Sequence, residues 1–162
     1  HHFGFNKFIC FEPDPSEFQI LSKNIITENS LLINKALSNK NGFSEFYLDN
    51  TTGDSSLLVN DNVKSITIET LTLDKFVSEA NVQSIGFIKI EAEGFEFEIL
   101  EGAFNSLKII KYVSVDCGFE RYGNSTFAQV SEYLIKNNFF ILNFNSNRHS
   151  ILFANKSFFL SN

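Results

Sequence analysis

The chain has 162 residues, enough to bury the core of one domain, and no second domain is expected. With 43% apolar and 20% charged residues it has the balance of a globular protein in water, and no apolar run approaches the 18 or so residues of a membrane span. A net charge of −6, with Lys and Arg scattered, argues against a nucleic-acid backbone or an anionic membrane surface as partner.

Lys7 to Phe11 reads as a buried strand that ends at Glu12. Asp14 suits an N-cap, Pro15 the first helical position and Glu17 a capping box, predicting a helix with Phe18, Leu21, Ile25 and Ile26 inward. Leu31 to Leu37 and Phe43 to Leu48 are predicted strands, joined through the tight-turn pair Asn41-Gly42. Residues 49 to 62 are polar and predict a loop long enough to carry function. Ser65 to Leu71 alternates as a strand, and Thr72 caps a short helix from Leu73. Ile85 to Ile90 is short, β-branched and aromatic, as a buried α/β strand should be. Phe95, Ile99, Ala103 and Leu107 then recur at helical spacing. A strand from Tyr112 to Cys117, a helix from Thr126 to the Asn137-Asn138 stop, and an antiparallel pair, Phe139 to Phe144 with Ser150 to Ala154, complete the chain. The alternation predicts a doubly wound, mostly parallel α/β sheet finishing in a hairpin. Cys10 and Cys117 read as buried thiols of a reducing compartment, and no secretory signal opens the sequence, so a cytoplasmic protein is expected.

Acids stand at three strand ends: Glu12, Glu91 with Glu93, and Asp116. Ligands of open α/β sheets bind beyond the carboxyl ends of the strands. Glu12 is placed to accept hydrogen bonds from ribose hydroxyls, and Glu91 and Glu93 are placed for chemistry. Glu96, Glu98 and Glu101 also suit the positive start of a helix. Arg121, beside Glu120, fits either an anion clamp or a surface ion pair. No cluster has metal-ligand spacing. Patterning alone leaves a nicotinamide enzyme and a methyltransferase both open.

Phe11-Glu12-Pro13-Asp14-Pro15, followed by Leu21, Asn24, Asn34, Ala36-Leu37-Ser38 and Gly42, resembles the first half of the FkbM family of S-adenosylmethionine-dependent methyltransferases. Thr72-Leu73-Asp74, Lys89-Ile90-Glu91-Ala92-Glu93-Gly94-Phe95-Glu96 and Leu100-Glu101-Gly102-Ala103 resemble its second half, and Ser55-Ser56-Leu57 and the segment from Asp116 to Arg121 add to the likeness. The resemblance implies a Rossmann-like fold, S-adenosyl-L-methionine as cofactor and O-methylation of a sugar or small-molecule hydroxyl. It places Glu12, Asn34 and Ala36 at the cofactor and Glu91 and Glu93 at the transfer step. The chemistry of the residues then favours Glu93 as the base, with Glu96 and Arg121 expected at the acceptor. Family members usually carry Asp where Glu91 stands, one methylene shorter.

By that resemblance the fold opens with a central strand and a glycine-rich cofactor turn ahead of the Phe-Glu-Pro segment, and neither is seen in the residues before it, where Gly4 stands alone. The sequence has no Met, and His1-His2 resembles the remnant of a purification tag. The chain is therefore expected to be truncated at its N-terminus and weak in cofactor binding, with unpaired sheet edges open to self-association. A degenerate, non-catalytic binding or assembly module is the alternative reading.

Overall fold

β-branched and aromatic residues fit a pleated, half-buried surface, and the runs rich in them form the strands. The computed structural model describes residues 7–25, 28–48, 55–60 and 63–159. Ile26, the His1-His2 pair and most of the predicted polar loop lie outside the described residues. Strands β1 (Phe8–Phe11) and β2 (Ser30–Ile33) are parallel, joined through helix α1 (Pro15–Asn24). Strand β3 (Ala36–Leu37) runs parallel to β5 (Lys64–Leu71), and β4 (Gly42–Leu48) pairs antiparallel with the other edge of β5. Helix α2 (Leu73–Glu79) leads to β6 (Ile85–Ile90), and helix α3 (Glu96–Glu101) to β7 (Ile110–Asp116), parallel to β6. Helix α4 (Phe127–Lys136) precedes the hairpin β8 (Phe139–Asn145) and β9 (Ser150–Asn155), whose second strand runs antiparallel to β7.

The expected α/β class and the closing hairpin are present, but a single, mostly parallel sheet is not. The strands form three sheets, ordered β1-β2, β3-β5-β4 and β6-β7-β9-β8, two of them mixed. Among the described residues no strand joins β1 to β6, and the three parallel pairs, β1-β2, β3-β5 and β6-β7, lie in different sheets. The Asn41-Gly42 turn makes no hairpin either, because β3 and β4 both pair with β5, one on each side.

Other departures have local causes. The single strand predicted over Leu31 to Leu37 is broken at Asn34, whose side-chain amide donates to the carbonyls of Glu12 (2.7 Å) and Pro13 (3.1 Å). Helix α1 buries none of its residues fully, since a two-stranded sheet offers it little apolar surface. The stripe Ile99, Ala103 and Leu107 is buried as predicted, yet α3 stops at Glu101. Gly102 passes so close to the Ser38 carbonyl that a β-carbon would collide with it. The next turn is held by Asp74, whose carboxylate accepts the Asn105 and Ser106 backbone N–H groups at 2.9 and 2.7 Å.

The main core lies around the four-stranded sheet, where Val113, Val115, Val130, Leu134, Phe139, Ile151 and Phe153 are fully buried. A smaller core of Ala36, Phe46 and Ile68 serves the middle sheet. Phe11 of β1 packs edge-on against Phe76 of α2, ring centres 5.1 Å apart, and α2 packs on the main core. Cys117 is buried and Cys10 half-buried; both are free thiols. Among the described residues no helix is long and apolar enough to cross a membrane.

Candidate active site

Strand β6 ends at Ile90 and the chain turns sharply through Glu91-Ala92-Glu93-Gly94 before α3 begins. Glu93 has φ of 49° and Gly94 φ of 91°. A left-handed conformation costs a residue with a β-carbon about 1–2 kcal/mol, so the turn persists only because its surroundings hold it. Position 94 requires glycine twice over. Its φ is positive, and a β-carbon there would lie 2.8 Å from both the Arg121 backbone nitrogen and Leu58 Cδ1.

Three elements grip the turn. From below, Glu96 Oε1 accepts the Ala92 N–H (3.1 Å) and the Gly94 N–H (2.9 Å), while the Thr126 hydroxyl donates to Oε2 (3.3 Å). From the segment after β4, the Ser56 hydroxyl donates to the Glu93 carbonyl at 3.0 Å. From the loop after β7, Arg121 donates to the Gly94 carbonyl at 2.8 Å and to both carboxylate oxygens of Glu98 at 2.9 and 2.7 Å. Glu96 is 1% exposed, and burial pushes its carboxyl pKa above the ordinary glutamate value against the hydrogen bonds that favour the anion.

This geometry sorts the predicted residues. Glu91 is half exposed and pairs with Lys89 at 2.7 Å, so its carboxylate faces solvent along the strand. Glu93 sits at the apex of the turn, partly buried. Glu96, expected at the acceptor, lies instead beneath the turn, where backbone amides and Thr126 occupy its oxygens. Arg121 is likewise corrected from an acceptor clamp. Its guanidinium is committed to Glu98 and Gly94, in the bidentate geometry that makes such pairs strong.

At the other strand end, Glu12 follows β1, its N–H bonded to the Ile33 carbonyl at 3.0 Å. Its Oε1 accepts the Asp14 N–H at 2.8 Å, and burial raises its pKa. Asn34 stands beside it, with its amide fixing the Glu12-Pro13 backbone. Ala36, expected near the cofactor, is 5% exposed inside the small core with Phe46 and Ile68. Asp116 caps its own loop by accepting the Gly118 N–H at 3.2 Å. The Cys117 thiol is pushed up to about 12 by burial, with neighbouring carboxylates adding to the shift, which rules it out as a nucleophile at neutral pH. Among the described residues no group of three or more His, Cys, Asp or Glu side chains is arranged to hold a metal ion.

Sequence reasoning missed the structural parts of Ser56, Glu98 and Thr126. The signal that was available is Gly94: a glycine after a strand marks a close approach, and whatever approaches it belongs to the site.

Acids at the carboxyl ends of β1 and β6, carried on strand–helix units, mark the candidate site of an α/β protein. A family model described as "Methyltransferase FkbM domain" matches residues 1–141, and the chain belongs to that methyltransferase family. It is 29% identical over 109 residues to the hexuronic acid methyltransferase AglP of Haloferax volcanii, an alignment covering 66% of this chain and 45% of that protein. It is 27% identical over 125 residues to the 2-O-methyltransferase NoeI of Sinorhizobium fredii, covering 66% of this chain and 51% of that one. The chain thus spans about half the length of these relatives. A crystal structure of a methyltransferase FkbM from Methylobacillus flagellatus KT shares the fold, with a TM-score of 0.57 at 14% identity over 93% of this chain and 36% of that one.

Proposed function

We propose that this chain forms part of an S-adenosylmethionine-dependent O-methyltransferase that acts on a sugar hydroxyl. The observation that carries the reading is the Glu93-Gly94 turn: a carboxylate held at the end of a parallel strand, on a backbone fixed by three other elements, in a chain of a methyltransferase family. The methyl donor rests on the family, the sugar acceptor on the likeness to the hexuronic acid methyltransferase AglP, and the oxygen as methylated atom on the likeness to the 2-O-methyltransferase NoeI.

The residues present suit such a donor in part. Glu12 offers a carboxylate at the end of β1 with one oxygen engaged by Asp14, and a carboxylate is the acceptor that ribose hydroxyls need. Asn34 keeps the Glu12 turn in place. S-adenosylmethionine would supply, when bound, a sulfonium methyl group whose carbon an oxygen nucleophile attacks in line, the neutral thioether leaving. The chain's own contribution is to align the acceptor hydroxyl and take its proton as the new C–O bond forms and the C–S bond breaks. Glu93 is the base in this reading, its carboxylate oxygen receiving the proton. Glu91, exposed and paired with Lys89, orients the acceptor's outer hydroxyls.

Isothermal titration of the intact protein with S-adenosylmethionine, and label transfer from it to methyl glucoside and methyl glucuronide, test the proposal. Donor binding with transfer to either sugar, abolished in Glu93→Gln, is the expected result. No binding at millimolar donor would sink the reading and favour a non-catalytic module.

A further inference from the structure

The function so far assigned to Glu93 depends on a backbone conformation that its own sequence neighbours do not favour. Glu93 carries a β-carbon yet sits at φ of 49°, and it is followed by a second positive φ at Gly94. Two carbonyls of this turn each meet a side chain from far away in sequence. The Glu93 carbonyl receives the Ser56 hydroxyl, 37 residues back. The Gly94 carbonyl receives Arg121, 27 residues on.

Both donors are themselves fixed. Ser56 Oγ accepts the Leu58 N–H at 3.2 Å, which leaves its proton to point at Glu93. Its backbone exchanges two hydrogen bonds with Tyr47 of β4, at 2.8 and 3.0 Å, so the hydroxyl is presented by an extension of the middle sheet. Arg121 is braced by Glu98 on α3 through both carboxylate oxygens. A hydroxyl aimed by one sheet and a guanidinium aimed by one helix therefore close on adjacent carbonyls of the same turn. What the two bonds add is direction: the Ser56 bond sets the 93–94 peptide plane that adjoins the Glu93 α-carbon, and the Arg121 bond anchors the next plane so that the first cannot turn freely.

We propose that Ser56 and Arg121 are positioning residues that act through the Glu93 and Gly94 carbonyls to hold Glu93 in its left-handed conformation and aim its carboxylate at the acceptor. The aiming part rests on the methyltransferase reading; the holding part does not.

The test uses the intact protein and three variants, Ser56→Ala, Ser56→Thr and Arg121→Lys. Hydrogen exchange of the peptide spanning 91–97 reads the turn directly, whatever the activity. Steady-state transfer from S-adenosylmethionine to methyl glucoside and methyl glucuronide reads the aim. In Ser56→Ala the exchange of the 91–97 amides should quicken about tenfold, as expected when the part-buried bond to the Glu93 carbonyl is lost. The kcat should fall by a similar factor with the KM for the donor unchanged, and Ser56→Thr, which keeps the hydroxyl, should restore both. Arg121→Lys, which keeps the charge but not the fork, should show the same pattern. Unchanged exchange in both Ser56→Ala and Arg121→Lys overturns the proposal. So does faster exchange with unaltered kcat, which would leave the two residues a merely structural part. If the unmodified protein transfers no methyl group, the proposed activity fails on that arm alone, while the exchange arm still decides whether the clamp exists.

Discussion

Replacing Glu96 is the sharpest perturbation the site offers, because a fully buried carboxylate there serves the backbone rather than a ligand. In Glu96→Ala the Ala92 and Gly94 N–H groups and the Thr126 hydroxyl lose their acceptor. A buried donor left unsatisfied costs about 1–3 kcal/mol, so the two amides alone account for roughly 2–6 kcal/mol. Removing a carboxyl that burial disfavours as an anion offsets part of this, and a net loss of about 3 kcal/mol is expected, a large share of the 5–15 kcal/mol typical of a domain. Glu96→Gln keeps an oxygen for both amides and turns its NH2 toward Thr126, whose hydroxyl can then accept, so the cost at neutral pH should be about 1 kcal/mol or less. The pH dependence separates the two effects. The folded pKa of Glu96 is raised above its unfolded value, so the stability tied to the protonated carboxyl is fully present below the unfolded pKa and lost as pH rises through the folded one. Wild type should therefore lose stability relative to Glu96→Gln between about pH 4 and pH 7. Urea denaturation of the three proteins at both pH values, with unchanged m, measures this. A loss under about 0.5 kcal/mol in Glu96→Ala, or a difference from Gln that ignores pH, would refute the reasoning.

Gly94→Ala should cost about 2–3 kcal/mol in thermal or urea unfolding, through its positive φ and the clash with Arg121 and Leu58, and should abolish transfer before it abolishes folding. Gly102→Ala has no φ penalty, yet its β-carbon would meet the Ser38 carbonyl. We expect it to destabilise by about 3 kcal/mol without altering the Glu93 turn, a separation that exchange of the 91–97 amides can verify. Asp74 accepts four hydrogen bonds from Asn105 and Ser106. Burial acts upward on its pKa, but those bonds outweigh it and hold the carboxyl below its usual value. Its stabilisation is therefore present above the unfolded pKa near 3.9 and lost as pH falls through the lower folded value, a loss that Asp74→Asn should remove from an acid-denaturation curve. Leu134→Ala, at a fully buried position of the main core, should cost about 3–5 kcal/mol in urea and leave donor binding intact.

Much of the local structure was legible because it is set by short-range chemistry. Asp14 accepts the Ser16 and Glu17 N–H groups, Thr72 accepts the Lys75 N–H, and α4 stops at Asn137 as its sequence predicts. The capping box at α1 shows the limit of that reasoning. Its reciprocal bond, from the Asp14 N–H, goes to Glu12 rather than Glu17, so a residue read for the cofactor is also part of the helix start. Glu96 looked like a solvated helix acid or an acceptor contact because its charge is visible in sequence and its burial is not. Thr126, whose hydroxyl it accepts, arrives 30 residues later. Arg121 and Glu98 could each be paired with several neighbours on paper, and only the approach of the β7 exit loop to Gly94 selects one pairing. The division into three sheets was legible only in outline, since strand order depends on which edges meet and local pattern carries no record of that.

The two-stranded sheet has an energetic consequence of its own. Its helix buries no residue fully, and its strands pair with one another alone among the described residues, whereas β7 and β9 sit at the centre of the main core. Opening free energies in native proteins run from near zero up to the global value according to how much burial each unit loses. The Glu12 end of this molecule thus belongs to a weakly protected unit and the Glu93 end to the strongly protected one. A binding event that ordered the first would register as stabilisation of β1, α1 and β2 alone, leaving the exchange rates of β7 and β9 where they were.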